Sequence, residues 1–193
     1  MKVFSASFCR DLHMAMLKDL HRCVCSLGEN LLVYYTPGGD PGILKELLPF
    51  AVDFRKQRGA DLGERMHRAL SEALEEYEKV LLLGSDVAEL EPELLRKAFS
   101  LLDDHQVVLG PSADGGYYLV GLKEAQPALF TDKTYSTPHV LREAILEAQR
   151  RELKVGLLPI LHDIDEPEEV FMLKRRLKKE GATKDLLEGI HDF

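Results

Sequence analysis

The sequence predicts an α/β fold in which helices cover both faces of a central, mostly parallel sheet. Short apolar runs alternate with amphipathic helical patterns along the chain, and a run such as KVLLLG (79–84) is continuously hydrophobic. Such alternation pairs strands in parallel through helical crossovers, and continuous hydrophobicity indicates a strand buried on both faces. A third observation makes the sheet mixed, because YYLVGL (117–122) follows VVLG (107–110) too closely for a long crossover.

Short-range sequence patterns predict the helices and strands of the first half of the chain. Apolar residues recur every three or four positions from Phe8 to Leu27 and stop at Gly28, which predicts an amphipathic helix. Asp61 and Glu64 have the spacing of a capping box and predict the start of a later helix. The other elements expected here are a strand over 31–36, a short helix over 41–48, an extended stretch over 51–54 and a helix from 61 to about 77.

The second half follows the same logic. Pro92 opens a helix after the 79–84 strand, and Ser136 or Thr137 is expected to cap a helix opened by Pro138. The remaining expected elements are strands over 107–110, 117–122 and 154–160, and helices over 167–179 and 184–190. The sequence contains no internal repeat or linker, so we expect a single domain spanning residues 1–193.

Composition excludes several classes of protein. Of the 193 residues, 45% are hydrophobic and 30% are charged, which is ordinary for a soluble globular domain. The net charge of −8 argues against a nucleic-acid partner, and the basic cluster at 174–179 is interpreted as a solvated helix face. No apolar run approaches the roughly 20 residues of a membrane span. No signal peptide is recognisable, so we expect a cytoplasmic protein.

A carboxylate ends the most hydrophobic run of the chain. In KVLLLGSDVAEL, Gly84 permits a sharp turn and Ser85 and Asp86 follow it. Ligands of open α/β sheets gather beyond the carboxyl ends of strands, so Asp86 is a candidate site residue. The alternative is that Asp86 caps the next helix. That helix is expected to begin near Pro92, where Glu91 or Glu89 is better placed to cap it.

A second carboxylate pair follows the last predicted strand, in HDIDEPEEV (162–170). Asp163 and Asp165 alternate, so in an extended segment both side chains point the same way. The alternative role for Asp165 is that of a helix start before Pro167. Two strand-end carboxylates, Asp86 and Asp165, could converge on one Mg²⁺ or Mn²⁺, because hard divalent cations take oxygen ligands.

A glycine turn separates the two closely spaced strands. Asp114, Gly115 and Gly116 form a DGG sequence, and DG by itself is typical of a hairpin turn. The functional alternative is that paired glycines let a ligand approach the backbone closely. Tyr117 and Tyr118 would then point to opposite faces of the sheet, one of them towards the site.

These segments together resemble a known family. Taken in order, they are similar to the DUF2064 proteins, a bacterial family within the GT-A glycosyltransferase superfold, and more distantly to molybdenum-cofactor nucleotidyltransferases and phospholactate guanylyltransferases. The resemblance covers roughly residues 57–170 and is carried by five segments. They are QRGADLGERMHRAL, VLLLGSDVAEL, GPSADGGYYLVGL, KTYSTPHVL and HDIDEPEEV.

The resemblance implies a three-layer α/β/α sandwich and a nucleotide or nucleotide sugar handled with Mg²⁺ or Mn²⁺. It implies metal contacts for Asp86 and Asp165. Asp114 would lie on the acceptor side, where it could orient or deprotonate a hydroxyl of an acceptor of unknown identity. The residues expected to bind nucleotide or substrate are Gly84, Ser85, Gly115, Gly116, Tyr117, Ser136 and Thr137.

The chain departs from the family pattern in two places. After Asp86 the family carries a proline and an aspartate, whereas this chain has Ala88 and Glu89. Family members also begin with a strand and a glycine- and lysine-bearing phosphate loop, for which MKVFSAS is too short. We therefore expect the fold to lack its first strand and to expose a sheet edge. Lys56, Arg58 and Arg65 are candidate replacements for the loop's cation, or ordinary surface charges.

Two functional hypotheses follow. The first is a metal-dependent glycosyltransferase or nucleotidyltransferase. The second is a non-catalytic binding module whose exposed sheet edge pairs with a partner or with another copy, giving a homo-oligomer. A dinucleotide-binding enzyme of the Rossmann type is disfavoured, because no G-x-G-x-x-G follows the first strand.

Overall fold

A computed structural model describes residues 4–131 and 133–190. The strands are β1 (Leu32–Tyr35), β2 (Asp53–Lys56), β3 (Val80–Leu83), β4 (Val107–Pro111), β5 (Tyr117–Leu122) and β6 (Val155–Leu157). The helices are α1 (Ala6–Cys25), α2 (Pro41–Leu47), α3 (Leu62–Leu74), α4 (Pro92–Asp104), α5 (Val140–Arg150), α6 (Pro167–Arg176) and α7 (Ala182–Glu188), with a short 3₁₀ helix at Pro127–Leu129. The predicted alternation of strands and helices is confirmed.

The strands form two sheets. One is the parallel pair β1 and β2, and the other has the order β3-β5-β4-β6. In the larger sheet β5 is antiparallel to both of its neighbours, whereas β4 and β6 are parallel. One row across this sheet aligns Leu82, Val120, Leu109 and Leu157. The short connection between β4 and β5 therefore produces the mixed sheet that the sequence predicts.

The prediction that the KVLLLG strand is buried on both faces is wrong. All four residues of β3 are half-buried, as are all four residues of β1, whereas β4 is buried throughout. The reason is topological, because β1 and β3 each lie at the edge of their own sheet. Among the described residues, no strand pairs with the second edge of either one.

Helices cover both faces of the larger sheet. On one face, α1 and α4 pack on Leu81, Leu83, Val108 and Leu119. On the opposite face, α3 and α5 pack on the alternate residues of the same strands, including Val107, Leu109, Val120 and Leu122. Leu102, Leu119 and Leu122 are fully shielded from solvent, and each such burial contributes about 2 kcal/mol. The three-layer arrangement thus follows from the two-residue period of the strands.

The observed helix termini agree only in part with those predicted from the sequence. The Asp61 side chain accepts a hydrogen bond from the backbone N–H of Glu64 (2.8 Å), which confirms the predicted start of α3. Helix α5 begins at Val140 rather than Pro138, and neither Ser136 nor Thr137 caps it. The start is displaced because the N–H of Leu141 donates to the carbonyl of Gly115, in the β4–β5 turn. In the described part of the chain, no helix has the length and apolar character to cross a bilayer.

Candidate active site

The carboxyl ends of three strands meet at one edge of the larger sheet. Strands β3, β4 and β6 run in the same direction, because β5 is antiparallel to both β3 and β4 and β6 is parallel to β4. A bridge between Ser112 and Leu161 extends the β4–β6 pairing beyond the regular strands. Asp86 follows β3, Asp114 follows β4, and Asp163 and Asp165 follow that bridge, so the topology brings four aspartates to the same edge.

These aspartates line a cavity of about 190 Å³. Its other lining residues are Leu62, Met66, Val87, Ser112, Gly116, Tyr117, Tyr118, Tyr135, Ser136, Thr137 and Val140. No described lysine, arginine or histidine lines it. A larger groove of about 430 Å³ lies beside α5, away from the strand ends, and there Glu147 forms salt bridges with Arg150 and Arg151. Of these two, the smaller cavity is the one that combines the strand ends with a cluster of acidic groups.

Gly84 places Asp86 at the cavity. The backbone N–H of Gly84 donates to the carbonyl of Tyr118 (2.9 Å) and continues the pairing of β3 with β5 past the end of the strand. A Cβ atom at Gly84 would lie 2.6 Å from Oδ1 of Asp86, so a larger residue there would require that carboxylate to move. Asp86 caps no helix, since Glu91 is the N-cap residue of α4. The capping alternative is therefore wrong.

The Asp114 turn is fixed from two sides. Oδ1 of Asp114 accepts hydrogen bonds from the backbone N–H of Gly116 (2.8 Å) and from the hydroxyl of Ser112, which is only 8% exposed. Gly115 has φ +92°, and a Cβ atom there would lie 2.3 Å from the carbonyl oxygen of Pro138. The DGG segment is thus a genuine turn, and it is also pressed against the segment that carries Ser136 and Thr137.

The acidic segment before α6 does not use Asp165 as its helix cap. Glu166 is the N-cap residue of α6, and the carboxylate of Glu169 accepts hydrogen bonds from the backbone N–H groups of Asp165 and Glu166, both at 2.7 Å. These contacts fix the backbone next to Asp165 and leave the Asp165 carboxylate free for the cavity. The helix-start alternative for Asp165 is therefore wrong.

Burial and mutual repulsion raise the pKa values of two of these carboxyl groups. Burial, with the negative charge of Asp114 as the next contribution, raises the pKa of Asp163 to about 6. Burial and the nearby Asp86 carboxylate raise the pKa of Asp165. Within the described ranges, no group of three or more histidine, cysteine or acidic side chains is placed so that together they could hold a metal ion. The donor set is nevertheless all oxygen and all acidic, which fits a hard divalent cation that keeps water and substrate oxygens among its ligands.

Replacing Asp163 with asparagine should stabilise the protein at pH 7. A carboxyl whose folded-state pKa is raised favours folding while it is protonated, and this contribution is lost as pH rises from about 4 towards 6. A one-unit pKa difference corresponds to about 1.4 kcal/mol, and solvent screening at a half-buried group reduces the expected gain to about 1 kcal/mol. Urea unfolding of D163N and wild type should show this gain at pH 7 and almost none at pH 4. A loss of stability at pH 7 would contradict the assignment.

The 133–140 segment forms the opposite wall of the cavity. Ser136 has φ +60°, an uncommon conformation for a residue other than glycine, and the Thr137 hydroxyl donates to the carbonyl of Thr134 (3.1 Å). Strained backbone of this kind clusters at ligand sites. Both residues line the cavity, although neither serves as the helix cap that the sequence predicts.

The structure gathers most of the predicted residues and excludes a few. Those that line the cavity are Asp86, Asp114, Asp165, Gly116, Tyr117, Ser136 and Thr137. Gly84 and Gly115 instead shape its walls, and the Ser85 hydroxyl lies 3.2 Å from Nε2 of His13 outside it. The candidate cations Lys56, Arg58 and Arg65 do not line the cavity.

Several residues that line the cavity are not predicted from the sequence. Ser112, Tyr135 and the apolar Leu62, Met66, Val87 and Val140 belong to this group. Only Ser112 carried a usable indication, since it is a hydroxyl directly after a buried strand. Tyr117 and Tyr118 do belong to opposite faces of the sheet, as expected, because Tyr118 packs with the α1–α4 side and Tyr117 with the α3–α5 side.

Comparisons with known proteins identify the family and the fold. The family model described as "Uncharacterized protein conserved in bacteria (DUF2064)" matches residues 19–137. The crystal structure of a "putative nucleotide-diphospho-sugar transferase" from Desulfovibrio desulfuricans G20 superposes with a TM-score of 0.83 at 30% identity, covering 92% of this chain and 80% of that one. Among curated proteins, none matches the sequence.

Two more distant structures share the fold. A CMP:2-keto-3-deoxy-manno-octonic acid synthetase, solved in complex with CTP, has a TM-score of 0.56 at 10% identity and covers 82% of this chain and 85% of its own. A cytidylyltransferase from Leptospira borgpetersenii serovar Hardjo-bovis (strain JB197) has a TM-score of 0.57 at 16% identity, with 90% and 81% covered. At these identities the likeness concerns the fold alone.

Proposed function

The chain belongs to the DUF2064 family and has the fold of nucleotide-sugar transferases, and we propose that it is a metal-dependent transferase acting on a nucleotide or a nucleotide sugar. The reaction would be a substitution at phosphorus, as in a nucleotidyltransferase, or at an anomeric carbon, as in a glycosyltransferase. The proteins of similar fold include one solved with CTP, which supports a nucleotide as the ligand.

One observation carries the proposal. Four aspartates from three strand ends line a single cavity, and none of its described lining residues is cationic. A nucleotide phosphate would be repelled by such a cavity unless a divalent cation stood between the two sets of oxygens. Mg²⁺ and Mn²⁺ suit this arrangement, because Mg²⁺ is usually held by one or two carboxylates together with substrate phosphates and water.

Each residue then has a separate role. Asp86 and Asp165 would hold the cation, which when bound supplies charge neutralisation for the phosphates and for the leaving group. The exposed backbone at Gly116 and the hydroxyls of Ser136 and Thr137 would orient the nucleotide, since catalysis of phosphoryl transfer consists mostly of positioning.

Asp114 suits the acceptor side of the reaction. Its Oδ1 is committed to Ser112 and Gly116, whereas Oδ2 makes no hydrogen bond to another described residue. Oδ2 is therefore available to orient an acceptor hydroxyl or to accept its proton.

A thermal-shift screen tests the proposal. Wild-type protein is heated with Mg²⁺ or Mn²⁺, with nucleotides and nucleotide sugars, and with each metal and nucleotide combined. A metal and its matching nucleotide together should raise Tm by roughly 5–10 °C when the ligand is present at about a hundred times its Kd. The metal-free arms serve as controls. If no combination changes Tm, the transferase proposal fails.

The unpaired sheet edges favour a second candidate, a non-catalytic binding module. Among the described residues, the outer edges of β1 and β3 carry half-buried aliphatic side chains and backbone groups that could receive an added strand. The same screen separates the two candidates, because a pure binding module gains no stability from a metal and a nucleotide. Analytical ultracentrifugation would then reveal whether the edges pair two copies of the chain.

A further inference from the structure

Glu89 connects the two segments that carry the candidate metal-binding aspartates. Its Oε1 accepts a hydrogen bond from Nε of Arg176 (3.2 Å), and its Oε2 accepts one from Nη2 of Arg176 (3.1 Å). Oε2 also lies 3.2 Å from Nδ1 of His162. Glu89 follows Asp86 by three residues, and His162 immediately precedes Asp163. One carboxylate therefore joins the loop after β3 to the segment before α6.

This contact involves largely shielded groups. The side chain of Glu89 is 19% exposed, that of Arg176 is 26% exposed and that of His162 is 42% exposed. A guanidinium that donates two hydrogen bonds to one carboxylate fixes the relative orientation of the two groups as well as their distance. Glu89 does not line the cavity, and both of its oxygens already have partners, so it is not among the candidate metal ligands.

The neighbours of Glu89 make the contact rigid. Val87, Ala88 and Leu90 on the same loop are 6%, 2% and 2% exposed. The ammonium group of Lys179, three residues beyond the end of α6, donates to the carbonyl oxygen of Leu90 at 2.7 Å. The loop that carries Asp86 is thus held at two consecutive residues by the far end of α6.

A fixed connection is needed because the aspartates repel one another. Asp86 lies on one segment and Asp163 and Asp165 lie on another, and all three face the same cavity. Their repulsion acts to separate the two segments. The contacts of Glu89 with His162 and Arg176 oppose that separation, since they link the loop after β3 both to the residue before Asp163 and to the helix that begins just after Asp165.

We propose that Glu89 is a positioning residue, which holds the Asp86 loop in register with the Asp163–Asp165 segment so that Asp86 and Asp165 can share one divalent cation. The inference rests on the proposed function for the role of the cation. The connection between the two segments can be tested without any ligand.

Mn²⁺ binding distinguishes positioning from simple electrostatics. Mn²⁺ affinity is measured by titration calorimetry for wild type, E89Q, R176Q and the double variant E89Q/R176Q. If Glu89 positions the aspartates, E89Q and R176Q should each weaken Mn²⁺ binding about tenfold, as loss of outer-shell partners does elsewhere. The double variant should be no weaker than either single variant, because both break the same contact.

Arg176 provides the decisive arm of the experiment. Removing a nearby positive charge should tighten cation binding if charge alone matters, whereas the positioning role requires weaker binding. If R176Q binds Mn²⁺ as tightly as wild type, or more tightly, the proposal is wrong. E93Q is the matched control, because it breaks the exposed Glu93–Arg96 pair on α4 (2.9 Å) and should leave Mn²⁺ affinity unchanged.

Hydrogen exchange of the metal-free protein separates failure of this inference from failure of the proposed function. E89Q should accelerate amide exchange in residues 84–91 and 158–166 together, while E93Q should not. Unchanged exchange in both segments overturns the role of Glu89 even if wild type binds Mn²⁺. If wild type binds no Mn²⁺ but the two segments loosen together in E89Q, the proposed function fails and the connection through Glu89 stands.

Discussion

Replacing Asp86 with asparagine should remove most of the stabilisation that Mn²⁺ and a nucleotide give to the wild-type protein. A ligand that binds only the folded state adds about 2.7 kcal/mol at a hundred times its Kd, which corresponds to roughly 5–10 °C for a chain of this length. Asparagine keeps the size of the side chain and removes its charge, so cation binding is lost without a cavity in the fold. Thermal melts of D86N with and without both ligands provide the measurement.

The control for this prediction is another aspartate. Asp104 is exposed at the end of α4, away from the cavity, and D104N should keep the full ligand-induced rise in Tm. D86N should also melt close to wild type when no ligand is present, because its carboxylate makes no hydrogen bond to another described residue. An undiminished ligand effect in D86N would remove Asp86 from the metal site.

Replacing Gly115 with alanine should destabilise the fold by about 3 kcal/mol or more. The residue has φ +92°, which a side chain adopts only under strain, and the added Cβ would lie 2.3 Å from the carbonyl oxygen of Pro138. Because that obstacle is backbone, relief requires the 136–138 segment to move away from the Asp114 turn. Thermal melting should show a fall in Tm of roughly 6–12 °C. Ligand binding should weaken as well, since the two walls of the cavity separate.

A G28A variant distinguishes the cost of an unfavourable backbone conformation from the cost of a steric clash. Gly28 has φ +75°, and a Cβ atom added there would meet no described atom within 4 Å, so G28A introduces the unfavourable backbone conformation without a clash. We expect G28A to cost about 1 kcal/mol. Equal losses in G28A and G115A would show that the contact between Gly115 and Pro138 contributes nothing.

Much of the fold could be predicted from local sequence patterns. The apolar period of three to four residues up to Gly28 indicated α1, and the capping pair of Asp61 and Glu64 indicated the start of α3. The short interval between β4 and β5 indicated the mixed sheet. These features depend on neighbours within a few residues, which is why a single sequence reveals them. The start of α5 was misplaced because a long-range hydrogen bond from Leu141 to Gly115 decides it.

The candidate site was only partly predictable. Asp86 and Asp165 were expected at strand ends because the carboxyl ends of parallel strands meet at one edge of a sheet. The sequence could not assign Glu89, whose partners Arg176 and His162 lie 87 and 73 residues away. It also predicts Gly84, Ser85 and Gly115 as binding residues; Gly84 and Gly115 shape the walls of the cavity, and Ser85 lies outside it.

By itself, the sequence determined the order and type of the strands and helices and that acidic residues follow two of the apolar strands, because backbone preference and hydrophobic period are local properties. Only the tertiary structure decided that β3 is an edge strand, that Asp114 and Asp163 join Asp86 and Asp165 around one cavity, and that the Glu89 carboxylate pairs with Arg176. The order of strands in a sheet is set by packing between distant segments, and that order determines which side chains become neighbours.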